Sequence, residues 1–175
     1  MPLSMLKSWL GVAQAPEPEH APLRDLVESL DKLDPERARH LARFAYLLGR
    51  VALADRHASA EETPAMERLV TEHAQLTADQ ATMVVGLAKN SNLLFGGTAD
   101  FAVAQEFSVA AAYEEKLALA RCLFVVAASD ASISLAEEGE IHRILNQLRI
   151  LPQDLIALRL PHAPLLPGRS PKPPA

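Results

Sequence analysis

Apolar residues recur at steps of three and four along the centre of the chain, the spacing of one face of an α-helix. The first series is Leu41, Phe44, Ala45, Leu48, Val51 and Ala52. Asp34-Pro35 precedes it, and this pair marks a helix start because Asp is a good N-cap and Pro suits the first helical position. We predict a helix from there to about Asp55.

Further helices follow, and two of them open on capping boxes. Ser59 with Glu62 and Thr77 with Gln80 have the S/T-x-x-E/Q pattern, in which cap and third residue satisfy each other's backbone N–H. The next apolar faces are Met66, Leu69, Val70 and His73, then Met83, Val84 and Leu87. A Gly/Asn-rich stretch, 90–98, predicts a helix break, and another helix is expected over 99–111.

The pattern repeats after 75 positions. Over 51–79 against 126–154, 8 of 29 residues are identical, and the apolar series around Phe44 has a counterpart in the second copy. That counterpart is Leu119, Ala120, Leu123, Val126 and Ala127, followed by Ile141, Ile144 and Leu145. Neither half can bury its apolar face alone, so the halves should pack together. We predict an all-α, two-fold pseudosymmetric (duplicated) helical bundle.

Each half has an acidic turn where its first helix ends, with Asp55 and Glu62 in one and Asp130 and Glu137 in the other. A carboxylate at a helix C-terminus is unfavourable and needs compensation. The turn can supply this through backbone N–H groups, as in an Asx-turn, or a bound cation can supply it. Glu62 and Glu137 also fit the third position of capping boxes. The sequence leaves structural capping and a divalent-cation site as alternatives.

This duplicated motif, V-A-x-A/S-D-x-x-x-S-x-x-E in an Ala/Leu-rich helical chain, resembles the TerB family linked to bacterial tellurite resistance. The resemblance covers about residues 41–160. It implies an all-α fold of about seven helices in two related halves, and a non-enzymatic, metal-related stress response in which Asp55, Glu62, Asp130 and Glu137 could bind a divalent metal cation. The family motif has glycine after the aspartate, where this chain has Arg56 and Ala131. Glycine there would tolerate a positive φ.

Composition narrows the function classes. The chain has 175 residues, 30 of them Ala and 28 Leu, and a net charge of −5. That charge does not supply the clustered Lys/Arg that nucleic-acid binding requires, so no nucleic-acid partner is expected. The single Cys122 lies in an apolar run and is expected to be a buried, inert thiol. No nucleophile–base motif, P-loop or H-E-x-x-H occurs, so we expect no enzyme.

The positions of prolines and of apolar residues indicate where the folded domain begins and ends. We predict an N-terminal segment and linker over 1–21, a helical domain over 22–160 with halves about 41–88 and 116–160, and a Pro-rich disordered tail over 161–175. No apolar stretch is long enough to span a bilayer, and no signal peptide is recognisable, so a cytoplasmic protein is expected. One face of the N-terminal segment carries Leu3, Leu6, Trp9 and Leu10.

Together these features predict a cytoplasmic, TerB-like binding protein of bacterial type. Its expected ligands are a divalent cation of unknown identity at the acidic turns and a protein partner. The alternative is an interaction module or membrane-surface adaptor in which the acidic turns are only helix caps. The N-terminal segment is a separate question: its apolar face is expected either to contact the inner-membrane surface weakly or a partner groove, or to dock on the bundle itself.

Overall fold

A computed structural model describes residues 28–54, 63–95 and 99–168. Residues 28–31 are helical, and seven longer α-helices follow within the described ranges. They are α1 (Pro35–Ala52), α2 (Thr63–Ala74), α3 (Ala78–Phe95), α4 (Asp100–Ala110), α5 (Tyr113–Ala127), α6 (Leu135–Gln147) and α7 (Pro152–Arg159). Short 3-10 helices cover Ala128–Asp130 and Leu160–Leu165. The described part of the chain has no strand, and the all-α prediction is confirmed.

The helix starts follow the local chemistry of the sequence. Asp34 caps α1 by accepting hydrogen bonds from the backbone N–H groups of Glu36 (3.1 Å) and Arg37 (3.3 Å), with Pro35 at the first helical position. At α3, the Gln80 N–H donates to Thr77 Oγ1 (3.2 Å) and the Thr77 N–H donates to Gln80 Oε1 (3.3 Å). Both predicted caps are confirmed, because each needs only residues within one turn.

Helix α1 lies at the centre of the bundle, packed against α3, α4, α5 and α6. Its predicted face is buried from Leu41 to Val51, and so are Tyr46 and Leu47 on other faces. The matching face of α5 is buried as well, and α5 packs on both α1 and α2. The two halves therefore share one core, as predicted from their incomplete apolar faces. The two-fold pseudosymmetry itself stays a prediction.

Two boundaries differ from the sequence-based expectation. Helix α3 extends into the expected break as far as Phe95, and the Asn90 side chain donates to the Gly86 carbonyl (2.8 Å), one turn back along the same helix. The residues after 160 are also folded as far as the structure describes them, to 168. Leu166 is 4% exposed in the core, so the disordered tail predicted from Pro161 onward is wrong for residues 161–168.

The physical reason for the second difference is that proline is compatible with 3-10 and extended backbone, although it interrupts an α-helix. The Leu160–Leu165 segment uses that backbone, and the His162 ring stacks on Phe124 with ring centroids 5.4 Å apart. The Ile133 N–H donates to the Leu165 carbonyl (2.9 Å). The C-terminal segment therefore packs directly against the second acidic turn.

Candidate functional site

The second acidic turn connects α5 to α6 and contains Asp130 and Glu137. After α5, the 3-10 helix Ala128–Asp130 ends on Ala131, which has a left-handed backbone (φ 65°, ψ 18°). Ile133 then enters the core at 3% exposure and Ser134 caps α6. The turn is thus anchored on both sides of its exposed tip, by a buried isoleucine and by a capped helix.

Asp130 is exposed and serves the turn itself. Its Oδ1 accepts hydrogen bonds from the Ser132 N–H (3.2 Å) and from Ser132 Oγ (3.3 Å). This is the Asx-turn arrangement, one of the two compensations that the sequence left open for a carboxylate at a helix C-terminus.

Glu137 is the third residue of a reciprocal capping box. Its N–H donates to Ser134 Oγ (3.2 Å), while its Oε2 accepts from the Ser134 N–H (2.8 Å) and from Ser134 Oγ (2.8 Å). The residue is only 9% exposed. The predicted capping role of Glu137 is confirmed, and its position favours a negative charge because the helix N-terminus is electropositive.

The residue after Asp130 shows what replaces the family's glycine. Ala131 adopts the left-handed backbone that the motif's glycine would take without strain. An L-residue pays about 1–2 kcal/mol for this conformation. Ala131 therefore has the positive φ that a glycine at this position would tolerate, at a cost in stability.

Of the four residues predicted to bind a divalent cation, Asp130 and Glu137 in the second half lie in the described part of the chain. Asp55 and Glu62 lie outside the described residues. Asp130 and Glu137 lie in one turn, but the hydrogen bonds given above join each to a different serine. In the described ranges, no group of three or more His, Cys, Asp or Glu side chains is arranged to hold a metal ion. Two carboxylates and two serine hydroxyls are oxygen donors of the kind hard cations prefer, and water or carbonyls would have to complete the coordination.

A buried polar cluster that the sequence analysis missed lies where α1, α4 and α6 meet. Arg50 Nε donates to Glu140 Oε1 (2.6 Å), and Arg50 Nη1 donates to Gln147 Oε1 (3.0 Å). The side chains of Arg50 and Glu140 are only 8% and 11% exposed. Tyr46 joins the cluster by donating to Asp100 Oδ1 (2.7 Å), and burial together with this bond raises the pKa of Tyr46. The contacts of Arg50 with Glu140 and Gln147 connect the two halves.

No local signal in the sequence identifies this cluster, since Arg50 and Glu140 are 90 positions apart. The only available hint is that both lie beside the apolar positions of their helices, where a charge needs a partner. Cys122 behaves as expected from its surroundings: it is 1% exposed, and burial raises the pKa of its thiol to about 12. A thiol with that pKa is a poor nucleophile near neutral pH.

Comparison with known proteins agrees with the motif. The family model described as tellurite resistance protein TerB matches residues 43–160, which include both acidic turns. No curated protein and no solved structure matches the chain. Within the described residues, no helix has the length and apolar character required to cross a membrane.

Proposed function

The chain belongs to the TerB family, and from that premise we propose that it is a non-enzymatic helical binding domain, associated with tellurite resistance, in which the second acidic turn is a structural cap. The main support for this proposal is that the carboxylates of Asp130 and Glu137 both accept hydrogen bonds from residues of the turn itself. Asp130 closes its own turn and Glu137 caps its own helix. Both roles serve the rigidity of the turn and require no ligand.

A protein partner is part of the proposal, and helix α4 supports it. Its inner face is buried at Val103, Ala104 and Phe107, yet Phe101 and Val109 on the outer face are 69% and 76% exposed. Exposed large apolar side chains that share one helix face, each one turn from an intervening polar residue, are candidates for contact with a partner. We infer that an apolar helix of a partner protein covers the outer face of α4.

Substitution on that face tests the partner. Phe101→Ser with Val109→Ser should change the free energy of unfolding by less than about 1 kcal/mol, since both side chains are exposed. It should also abolish the ability of the gene to restore tellurite tolerance to a strain from which it has been deleted. Ile156→Ser is the matched control, because it removes an equally exposed apolar side chain (65%) from α7, away from α4, and it should restore growth. Full tolerance with the double variant would refute the α4 surface.

A divalent-cation site at the acidic turns is the second candidate. It is favoured by the oxygen donors of Asp130, Ser132, Ser134 and Glu137 within one turn. Asp130→Asn with Glu137→Gln separates the two candidates, because Asn and Gln retain the hydrogen-bonding oxygens of an Asx-turn and a capping box but remove both charges.

The measurement is thermal unfolding with and without Ca²⁺, Mg²⁺, Mn²⁺ or Zn²⁺. If the turn is only a cap, the wild-type melting temperature is independent of the cation, and the double variant behaves in the same way. A rise with one cation in the wild type, lost in the double variant, would replace the cap proposal with the cation site. A rise retained in the variant would locate the cation elsewhere in the chain.

A further inference from the structure

A cavity of about 260 Å³ lies between the first half of α1, the end of α4 and the start of α5. Three arginines line it, together with a histidine. These residues are Arg37, Arg39, His40 and Arg43. The volume is below the range typical of pockets for drug-sized ligands. The cavity is therefore suited to a small ion or to one small group of a larger molecule.

Arg43 provides the main evidence that the cavity binds a ligand. It is 7% exposed, and its Nε is buried without a hydrogen-bond partner. Its Nη2 reaches Glu106 Oε2 only at 3.4 Å, and the Glu106 side chain is 53% exposed. A buried guanidinium with an unsatisfied N–H is costly, because that donor has lost its water without gaining an acceptor. An oxygen-bearing anion in the cavity would supply the missing acceptor.

The carboxylates around the cavity have partners of their own. Glu36 is paired with Arg39 on the same helix, and Glu115 Oε2 accepts from the Ala112 N–H (2.8 Å) at the start of α5. Arg37 Nη2 donates to Gln80 Oε1 at 3.3 Å. A guanidinium has five N–H donors, so these contacts leave most of the arginine donors available to a ligand.

We propose that this cavity binds a small oxyanion, held by Arg39 and Arg43 with Arg37 at its edge. Guanidinium groups match the paired oxygens of phosphate-like anions in geometry as well as charge. Inorganic phosphate is the first probe. Tellurite, named in the description of the matching family, is an oxyanion of the same class and is the second. This site is separate from the acidic turn, and its existence does not depend on the cap or cation proposals.

The test is calorimetric titration of the full chain with phosphate and then tellurite, at constant ionic strength set with chloride. Binding should be saturable for at least one of the two, with a dissociation constant of about 1 mM or lower. In NMR spectra recorded during the same titration, the ¹⁵Nε resonance of Arg43 should shift with anion concentration and give the same dissociation constant as calorimetry. Arg39→Gln should weaken binding about tenfold, the effect of losing one charge-assisted hydrogen bond.

Arg149→Gln is the matched control, since Arg149 carries the same charge and is exposed in the turn after α6, away from the cavity. This variant should bind like the wild type. The proposal is overturned if neither anion gives a saturable response. It is also overturned if Arg149→Gln weakens binding as much as Arg39→Gln, which would indicate non-specific attraction to positive charge.

Discussion

The buried pair between Arg50 and Glu140 gives the sharpest stability prediction. Removing one member of a buried ion pair typically costs about 3–5 kcal/mol, because the other charge is left uncompensated. After Glu140→Ala, Arg50 would still have the Gln147 amide at 3.0 Å and the Asp100 carboxylate at 3.7 Å. We therefore expect a loss at the low end of that range, about 3 kcal/mol.

Urea unfolding followed by circular dichroism at 222 nm measures this loss as a lower midpoint. The apolar double variant Arg50→Met with Glu140→Leu should recover most of the stability, since it leaves no buried charge without a partner at these two positions. Glu36→Ala is the control: it breaks the exposed pair with Arg39, whose side chain is 38% exposed, and should cost less than about 1 kcal/mol.

The reasoning is refuted if Glu140→Ala costs no more than Glu36→Ala. It is also refuted if the double variant is as unstable as the sum of its two single variants. Either result would mean that the cluster between the two halves contributes no coupled, buried electrostatic interaction.

Three further predictions concern the turn, the histidines and the C-terminal segment. Ala131→Gly should leave stability unchanged or raise it by up to about 1 kcal/mol, because relief of the left-handed strain exceeds or matches the entropy cost of glycine; a loss above 1 kcal/mol in urea unfolding would contradict this. Burial lowers the pKa of His40 and of His162, so the unfolded chain binds protons first and the unfolding free energy should fall as pH drops from about 7.5 towards 6. Replacing both with Gln should flatten that dependence, and a slope unchanged from that of the wild type would contradict the reasoning. Leu166→Ala should cost about 2–4 kcal/mol as a core truncation, and a cost below 0.5 kcal/mol would show that the segment is not docked.

Features set by neighbouring residues were predictable from the sequence. Asp34-Pro35 and Thr77 with Gln80 specify helix starts within one turn, so pattern and structure agree. The capping box of Ser134 and Glu137 belongs to the same class. For the Asp130 carboxylate at the helix C-terminus, the sequence allowed stabilisation either by backbone N–H groups of the turn or by a bound cation. The structure shows the first of these, a hydrogen bond from the Ser132 N–H.

Features that depend on distant partners were not predictable. The Arg50–Glu140 pair joins two helices far apart in sequence, and Arg43 becomes part of a cavity only when α4 and α5 pack on α1. The C-terminal segment differs from its prediction because Leu165 and Leu166, which lie among its prolines, pack against the core. Those leucines provide contacts for a 3-10 segment that proline does not prevent.

The central claim, that Glu137 is a helix cap, is tested most directly by the unfolding free energies of Glu137→Gln and Glu137→Ala in a chelating buffer. Gln can still accept from the Ser134 N–H, so it should lose only about 0.5 kcal/mol through its weaker interaction with the helix dipole. Ala removes the acceptor and should lose about 1.5 kcal/mol. A Glu137→Gln variant more stable than the wild type would contradict the account, because it would mean that the carboxylate is held against repulsion for a cation that the buffer has removed.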